Sequence, residues 1–169
     1  PTHDLRRPTA YARRVSTEPP LVPGDPANTE WIRTSAPFTD LCEVVIDSLT
    51  PERVAGRVAW KEQFCTVNGN LHGGYLMSLA DSVGAFLSVQ HLPEGAGTST
   101  ISSSTNFLRP APQAVYSIVS TLVMAGRRTI TVTTDVINPD GKVVSRTTQT
   151  QAVLTSWFEP PSWRSRSPE

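Results

Sequence analysis

The chain has 169 residues, enough for one domain with a core, and its 15 basic and 15 acidic side chains give zero formal net charge. This balance excludes a general attraction to nucleic acid or to an anionic membrane surface. No apolar run is long enough to span a membrane, and Cys42 and Cys65 form neither a metal-binding spacing nor a disulfide framework. We therefore expect a cytoplasmic protein with no metal and no nucleic-acid or membrane partner.

The two ends of the chain differ from its middle in composition. Nine of the 15 prolines and six of the arginines fall in residues 1–26 and 160–169. We expect residues 1–26 to form an N-terminal arm, residues 27–159 one folded domain, and residues 160–169 a C-terminal tail. An Arg- and Ser-bearing arm is also typical of a transit peptide, which would direct the protein to the mitochondrial matrix. Its prolines and acidic residues disfavour the amphipathic helix of such a peptide, so we prefer a plain tail.

The stretch before residue 65 predicts one short helix and two strands. The helix is expected over residues 28–33 with Asn28 or Thr29 as its cap. The strands are expected over residues 40–48 and from Arg53 toward Phe64, separated by a turn at Thr50 and Pro51.

A long helix is predicted next, over residues 73–91, ended by Pro93 and a glycine turn at 95–97. Its residues are apolar on nearly every face, which is typical of a buried helix. One carboxylate, Asp81, lies inside it. Because an unpaired buried carboxylate is costly, Asp81 needs either a partner or a chemical role.

Four strands are predicted after this helix, because β-branched residues and alternation replace the helical period. They cover residues 98–108, 115–124, 128–137 and 142–156, and residues 138–141 give a strong turn signal. One buried helix against one antiparallel sheet is an α+β arrangement.

The start of the long helix has the features of an oxyanion site. Gly73 and Gly74 carry no side chain that would block a ligand, and the first amides of a helix attract negative charge. Together with Asp81, such a site indicates acyl-transfer chemistry. Eight residues of helix span about 12 Å, too far for both groups to act on one carbonyl. Two copies of the chain would therefore have to share each site, which predicts a dimer.

The segment Leu71–Asp81, LHGGYLMSLAD, with Asp81 nine residues after His72, resembles the hotdog-fold thioesterases. Within them it is similar to the branch of phenylacetate-pathway (PaaI-type), hydroxybenzoyl-CoA and small human-type acyl-CoA thioesterases. Residues 106–110, 126–129 and 140–144 add supporting pieces in the same order. The resemblance implies an antiparallel sheet wrapped around one central helix. It also implies hydrolysis of an acyl-CoA, with coenzyme A as part of the substrate and no separate cofactor, by a homodimer or a dimer of dimers.

The resemblance assigns roles to single residues. The Gly73 N–H would polarise the thioester carbonyl, and Asp81 would act as general base or nucleophile across the dimer interface. Thr100, ten residues before Pro110, matches a hydroxyl that orients the attacking water. Many relatives carry an Asn six residues before the His; here that position is Thr66, with Asn68 two residues later, and we expect this pair to contact substrate.

Further residues are candidates for binding. The resemblance casts His72, together with Gly74, as positioning the loop or contacting substrate, although a neutral imidazole could also serve as a base. Arg109, Arg127 and Arg128 could bind the phosphates of coenzyme A, although solvated arginines at strand ends are more common.

Two other functions stay open. Enoyl-thioester hydratases and dehydratases share the fold, but they usually show proline-rich sequence after the catalytic His, whereas His72 is followed by two glycines. A non-catalytic acyl-CoA binding or regulatory module gains support from Thr66 in place of Asn. A serine hydrolase is disfavoured because no GxSxG elbow is present.

Overall fold

The protein is described by a computed structural model over residues 21–155. Predictions on residues 1–20 and 156–169, which include most of the arm, the whole tail and the last residue of the final strand, lie outside this range.

Six strands form one sheet in which every neighbouring pair is antiparallel, in the order β1-β2-β4-β5-β6-β3. The strands are β1 Val45–Leu49, β2 Arg53–Ala59, β3 Gly97–Phe107, β4 Val115–Ala125, β5 Thr129–Ile137 and β6 Val143–Leu154. The long helix, here α3, covers Gly73–Val89 and packs against β2 to β6. This is the predicted α+β hotdog arrangement, and the structure confirms it.

The core lies between α3 and one face of the sheet. Buried and less buried residues alternate along β5 without interruption, because successive side chains of a strand point to opposite faces. The inward residues Ile130, Val132 and Val136 pack with Leu79, Val83 and Leu87 of α3 in a single cluster. Hydrophobic burial on this one face explains why the sequence pattern was sufficient to predict the sheet.

The segment before β2 differs from the prediction. Helix α1 is Pro26–Ser35, and its cap is Asp25, whose Oδ1 accepts a hydrogen bond from the Asn28 amide at 2.9 Å. The proposed caps Asn28 and Thr29 are therefore inside the helix, because proline at its first position moves the start upstream.

The predicted strand over residues 40–48 begins too early. A second short helix, α2, covers Pro37–Leu41, and β1 starts only at Val45. Glu43, with a φ of +56°, reverses the chain between them. The continuation of β2 toward Phe64 is also wrong, because Glu62–Phe64 is a 3₁₀ turn.

Helix α3 is not buried on all sides within one chain. Met77 is 40% exposed, and Ser78, Asp81 and Ala85 of the same face are half-buried. The spacing of these residues places them on one stripe. Strand β3, at the edge of the sheet, is also mostly exposed. No helix within residues 21–155 is long and apolar enough to cross a membrane.

Candidate active site at the start and middle of helix α3

The two consecutive glycine amides in the first turn of α3 differ in their hydrogen bonding. His72, in an extended conformation at φ −65° and ψ 139°, is the N-cap, and its Nδ1 accepts the Gly74 N–H at 2.9 Å. The first bond of the helix backbone runs from the Leu76 N–H to the His72 carbonyl. Within residues 21–155 the Gly73 N–H has no hydrogen-bond partner. Of the two glycine amides it is therefore the one that remains free for an acceptor at this positive end of the helix.

Gly73 also lies close to the end of strand β3. A Cβ atom on Gly73 would be 3.1 Å from the ring tip of Phe107. Glycine thus allows close packing of the helix start against this ring, and the same small residue leaves the amide accessible. Phe107 is itself half exposed, so it lines the surface beside the free amide.

The loop before His72 carries Thr66 and Asn68. It forms a turn in which the Gly69 N–H donates to the Thr66 carbonyl at 3.0 Å, with Gly69 at a φ of +71°. Both candidate side chains are exposed. The His72 N–H donates to the Phe64 carbonyl at 2.8 Å, which fixes this loop beside the start of α3. The structure therefore brings Thr66 and Asn68 to the same end of α3 as Gly73.

Asp81 lies two turns further along α3, and among residues 21–155 it is held by hydrogen bonds rather than by an ion pair. Its Oδ1 accepts from the Thr100 hydroxyl at 2.9 Å and from Gln149 Nε2 at 2.7 Å. The sequence-predicted residues Asp81 and Thr100 are thus in direct contact within one chain. Asp81 is half-buried and Thr100 exposed, so the pair faces the open stripe of α3 and the edge of β3.

The neighbours of the Thr100 hydroxyl fix the direction of its proton. A hydroxyl can donate once and accept twice. Gln151 Nε2 and Gln149 Nε2 lie 3.0 and 3.3 Å from Thr100 Oγ1, and each can only donate. The hydroxyl proton is therefore directed to Asp81.

Gln149 and Gln151 were missed by the sequence reasoning. Both are on β6 and essentially fully buried, at 1% and 0% exposure. Thr147, Gln149 and Gln151 occupy successive inward positions of a strand whose burial alternates. Polar side chains at the inward positions of a core strand are an available signal, since buried polar groups need partners.

In the described part of the chain, no contact joins Asp81 to the arginines that were proposed to hold phosphates. Arg109 donates through Nη1 to the Val143 carbonyl at 2.5 Å. Arg127 and Arg128 are exposed in the β4–β5 turn, and within residues 21–155 their side chains have no ion-pair partner. They are cationic surface groups at two separate turns.

Two ionisable groups near the start of α3 are neutral at ordinary pH. Burial, and next the charge of Glu62, raises the pKa of the Cys65 thiol above its usual value. Burial also raises the pKa of Tyr75, whose hydroxyl donates to the Cys42 carbonyl at 2.8 Å. Neither group is a ready nucleophile or base. Among residues 21–155, no group of three or more His, Cys, Asp or Glu side chains is placed to hold a metal ion.

Comparisons with known proteins agree with this fold. Residues 68–145 match the family model of the thioesterase superfamily. A protein of Saccharolobus solfataricus, named as a proposed esterase, is 26% identical over 116 residues, covering 69% of this chain and 78% of that protein.

Two similar solved structures come from bacteria. One, from Ralstonia eutropha, is named as a proposed thioesterase related to phenylacetic acid degradation. It is 26% identical and has a TM-score of 0.66, and the match covers 73% of this chain and 97% of that one. The other, a hypothetical thioesterase from Streptococcus pneumoniae with coenzyme A, is 27% identical, with a TM-score of 0.60, covering 65% of this chain and 87% of that one.

These findings confirm the resemblance stated from the sequence. The chain has the hotdog fold, and its residues 68–145 match the model of the thioesterase superfamily. The phenylacetate-related branch is consistent with the solved structures. Family and relatives support a hydrolase of the thioester-cleaving class.

Proposed function

We propose that this protein hydrolyses an acyl-CoA thioester to the free acid and coenzyme A. The observation that carries the proposal is the pairing of two features on α3: a Gly73 amide without a partner in the described part of the chain, and an Asp81 carboxylate held at the open stripe of the same helix. A relative whose structure contains coenzyme A supports this thiol component.

In the proposed reaction the thioester carbonyl accepts a hydrogen bond from the Gly73 N–H. This bond strengthens as the oxygen gains charge, since the helix dipole favours an anion at that position. Asp81 removes a proton from a water molecule, whose oxygen bonds to the carbonyl carbon while the carbon–sulfur bond breaks. Attack by Asp81 itself to give an anhydride, which water then cleaves, is the second route. In single-turnover hydrolysis in ¹⁸O-labelled water, label in the Asp81 carboxylate identifies the anhydride route, because water that attacks the aspartyl carbonyl carbon of the anhydride leaves its oxygen on Asp81.

Each site is proposed to combine Gly73 of one chain with Asp81 of another. The two residues are eight positions apart on one helix, about 12 Å, so one carbonyl cannot contact both in a single chain. Strand β3 supplies a surface for a partner: it is an 11-residue edge strand whose Ile101 and Phe107 are 60% and 51% exposed. Proteins usually cover such edges, and a homodimer, alone or as a dimer of dimers, would do so.

Residues around these two groups are proposed to bind the rest of the substrate. Thr66 and Asn68, with His72 and Gly74, would contact the acyl thioester near the start of α3. Arg109, Arg127 and Arg128 would meet the phosphates of coenzyme A, since guanidinium groups pair well with phosphate. No resident cofactor or metal is needed for this chemistry.

The test is a panel of acyl-CoAs with short, aromatic and long acyl groups, in which released coenzyme A is measured with a thiol reagent. Asp81→Asn is run beside the wild type and should lower kcat by at least about 100-fold, the usual contribution of a general base. Asp140→Asn, which changes an exposed turn carboxylate, is the control and should keep activity.

Wild-type hydrolysis by Asp81→Asn would refute the catalytic assignment. Saturable binding of acyl-CoA without release of coenzyme A across the panel would instead favour the non-catalytic binding module.

A further inference from the structure

Gln149 is a buried amide that contacts the proposed catalytic carboxylate from inside the protein. Its Nε2 donates to Asp81 Oδ1 at 2.7 Å and lies 3.3 Å from the Asp81 backbone carbonyl. The side chain comes from β6, below α3, and is 1% exposed. It therefore reaches Asp81 from the side opposite to solvent.

The orientation of the Gln149 amide is set by its neighbours. The reversed orientation would place the carbonyl oxygen Oε1 2.7 Å from a carboxylate oxygen, which is repulsive, so the amide nitrogen must face Asp81. As a consequence Oε1 is buried and, within residues 21–155, has no hydrogen-bond partner. A buried acceptor without a partner opposes folding. The contact with Asp81 is thus made in spite of a cost in stability.

Helix α3 has a glycine where Gln149 meets it. A Cβ atom on Gly84 would lie 2.3 Å from Gln149 Oε1 and 3.1 Å from Val132. Glycine in the middle of a helix is itself unfavourable. The helix therefore carries a residue that weakens it at a position where a side chain would displace the Gln149 amide.

The two oxygens of Asp81 differ as a result. Oδ1 accepts from both Gln149 and Thr100, while Oδ2 receives no hydrogen bond from residues 21–155. Thr100 is in turn held by Gln151, directly opposite it on β6.

We propose that Gln149 is a positioning residue that, with Thr100 and Gln151, holds Oδ1 of Asp81 so that Oδ2 is the reacting oxygen. This inference rests on the proposed hydrolysis by Asp81. It gives Thr100 a role in holding the carboxylate rather than the water, because its only proton is already directed to Asp81.

The first test is Gln149→Met, which keeps the length of the side chain and removes both the amide donor and the unpaired Oε1. We expect kcat for the best acyl-CoA to fall about 10- to 100-fold, as is typical when a group that orients a reactive residue is lost. KM should change much less. The urea midpoint should stay equal to or above that of the wild type, because the unpaired acceptor is gone.

Ser145→Ala is the matched control. Ser145 lies on the same inward face of β6, is fully buried, and also has an oxygen without a partner within residues 21–155. This variant should keep both kcat and KM. A merely structural role of buried polar groups on β6 would move both variants alike.

Gln149→Glu is the second variant, and its result can be interpreted independently of the result for Gln149→Met. It places a carboxyl beside Oδ1 at nearly unchanged volume. Two carboxyl groups this close cannot both be ionised at ordinary pH and titrate as a pair, so the pH profile of kcat should differ from that of the wild type. An unchanged pH profile would overturn the positioning role.

The outcomes separate this inference from the function on which it rests. If Asp81→Asn is inactive while Gln149→Met keeps the wild-type kcat, the positioning role alone is wrong. If Asp81→Asn keeps wild-type hydrolysis, the proposed catalysis fails and the inference fails with it. If Asp81→Asn and Gln149→Met each lose kcat while Ser145→Ala keeps it, the proposed catalysis and the positioning role are both supported.

Discussion

The two glycine amides that open α3 differ in what they bind, although their residues are identical. The Gly74 N–H is used by the His72 cap, whereas the Gly73 N–H has no partner in the described part of the chain. His72 therefore binds the Gly74 amide, and the amide that is proposed to bind the thioester carbonyl is left free. As the cap of this helix, His72 acts without any proton transfer.

Replacing Gly73 by proline tests the free amide directly. Proline is favoured at the first position of a helix, and His72 already has the extended conformation that a residue before proline needs, so Gly73→Pro should fold. The substitution removes the amide N–H, and the proline ring adds carbon atoms near Phe107. We expect kcat to fall about 100-fold, as when one donor of an oxyanion site is lost.

Gly73→Ala is the control for this substitution, because it adds a Cβ in the same place and keeps the N–H. Both variants need Phe107 to shift by a few tenths of an ångström. If the two variants lose activity equally in the coenzyme A release assay, the loss comes from crowding and the amide has no catalytic role.

Among single residues, the motif indicated Gly73 and Asp81 and the family resemblance indicated Thr100, and the structure places Asp81 and Thr100 in contact. Gln149 and Gln151 could not be located in this way. Their position below Asp81 depends on the pairing of β6 with β3 and β5, and residues some 50 to 70 positions apart in the chain have no local pattern that links them.

At the scale of secondary-structure elements, α1 illustrates how a cap fixes a boundary. Asp25 accepts the Asn28 amide and also the Asn28 side chain, and its own N–H donates to the Ile46 carbonyl of β1 at 2.9 Å. The cap thus joins the first helix to the edge of the sheet, inside the segment that composition assigned to the arm.

Asp25→Ala should lower the free energy of unfolding by about 1 kcal/mol, the usual value of an N-cap. Urea unfolding followed by circular dichroism measures this loss. Asp25→Asn keeps an oxygen acceptor, so its free energy of unfolding should fall much less. Asp140→Ala, in an exposed turn, should leave the free energy of unfolding almost unchanged. Equal stability of Asp25→Ala and the wild type would show that the bond to the Asn28 amide is not stabilising.

Elements with strong periodicity were predicted well and short ones were not. Strands β4 and β5 and helix α3 fall within two residues of their predicted bounds, because long alternating or apolar runs dominate local preferences. Residues 40–44 were assigned to a strand, yet the helix that begins at Pro37 ends at Leu41, and Glu43 lies in a turn with a φ of +56°. Five-residue elements follow from packing and from single special residues rather than from a period.

For the whole molecule, the proposed sharing of sites between chains predicts complementation. Asp81→Asn and Gly73→Pro chains should each be inactive alone. In a mixed dimer one site would carry both substitutions and the other would be intact. A random equal mixture is expected to recover about one quarter of wild-type activity, since half of the dimers are mixed and each has one of two sites.

The measurement is coenzyme A release before and after the two variants are unfolded together and refolded, with differently tagged chains to show that mixed dimers form. Wild-type chains mixed in the same way with tagged wild-type chains give the reference. Mixed dimers without recovered activity would mean that Gly73 and Asp81 do not serve one carbonyl from two chains.

The sequence by itself determined the class of fold, the helix that carries the site, and the residues of its opening motif. These follow from periodicity and from short-range spacing, which are properties of neighbouring residues. The tertiary structure decided which glycine amide stays free and that one stripe of α3 is open. It also decided that buried Gln149 binds one oxygen of Asp81 and that buried Gln151 holds Thr100 beside it. The physical reason is that hydrogen-bond partners and burial depend on the register of strands far apart in the chain, which no local pattern encodes.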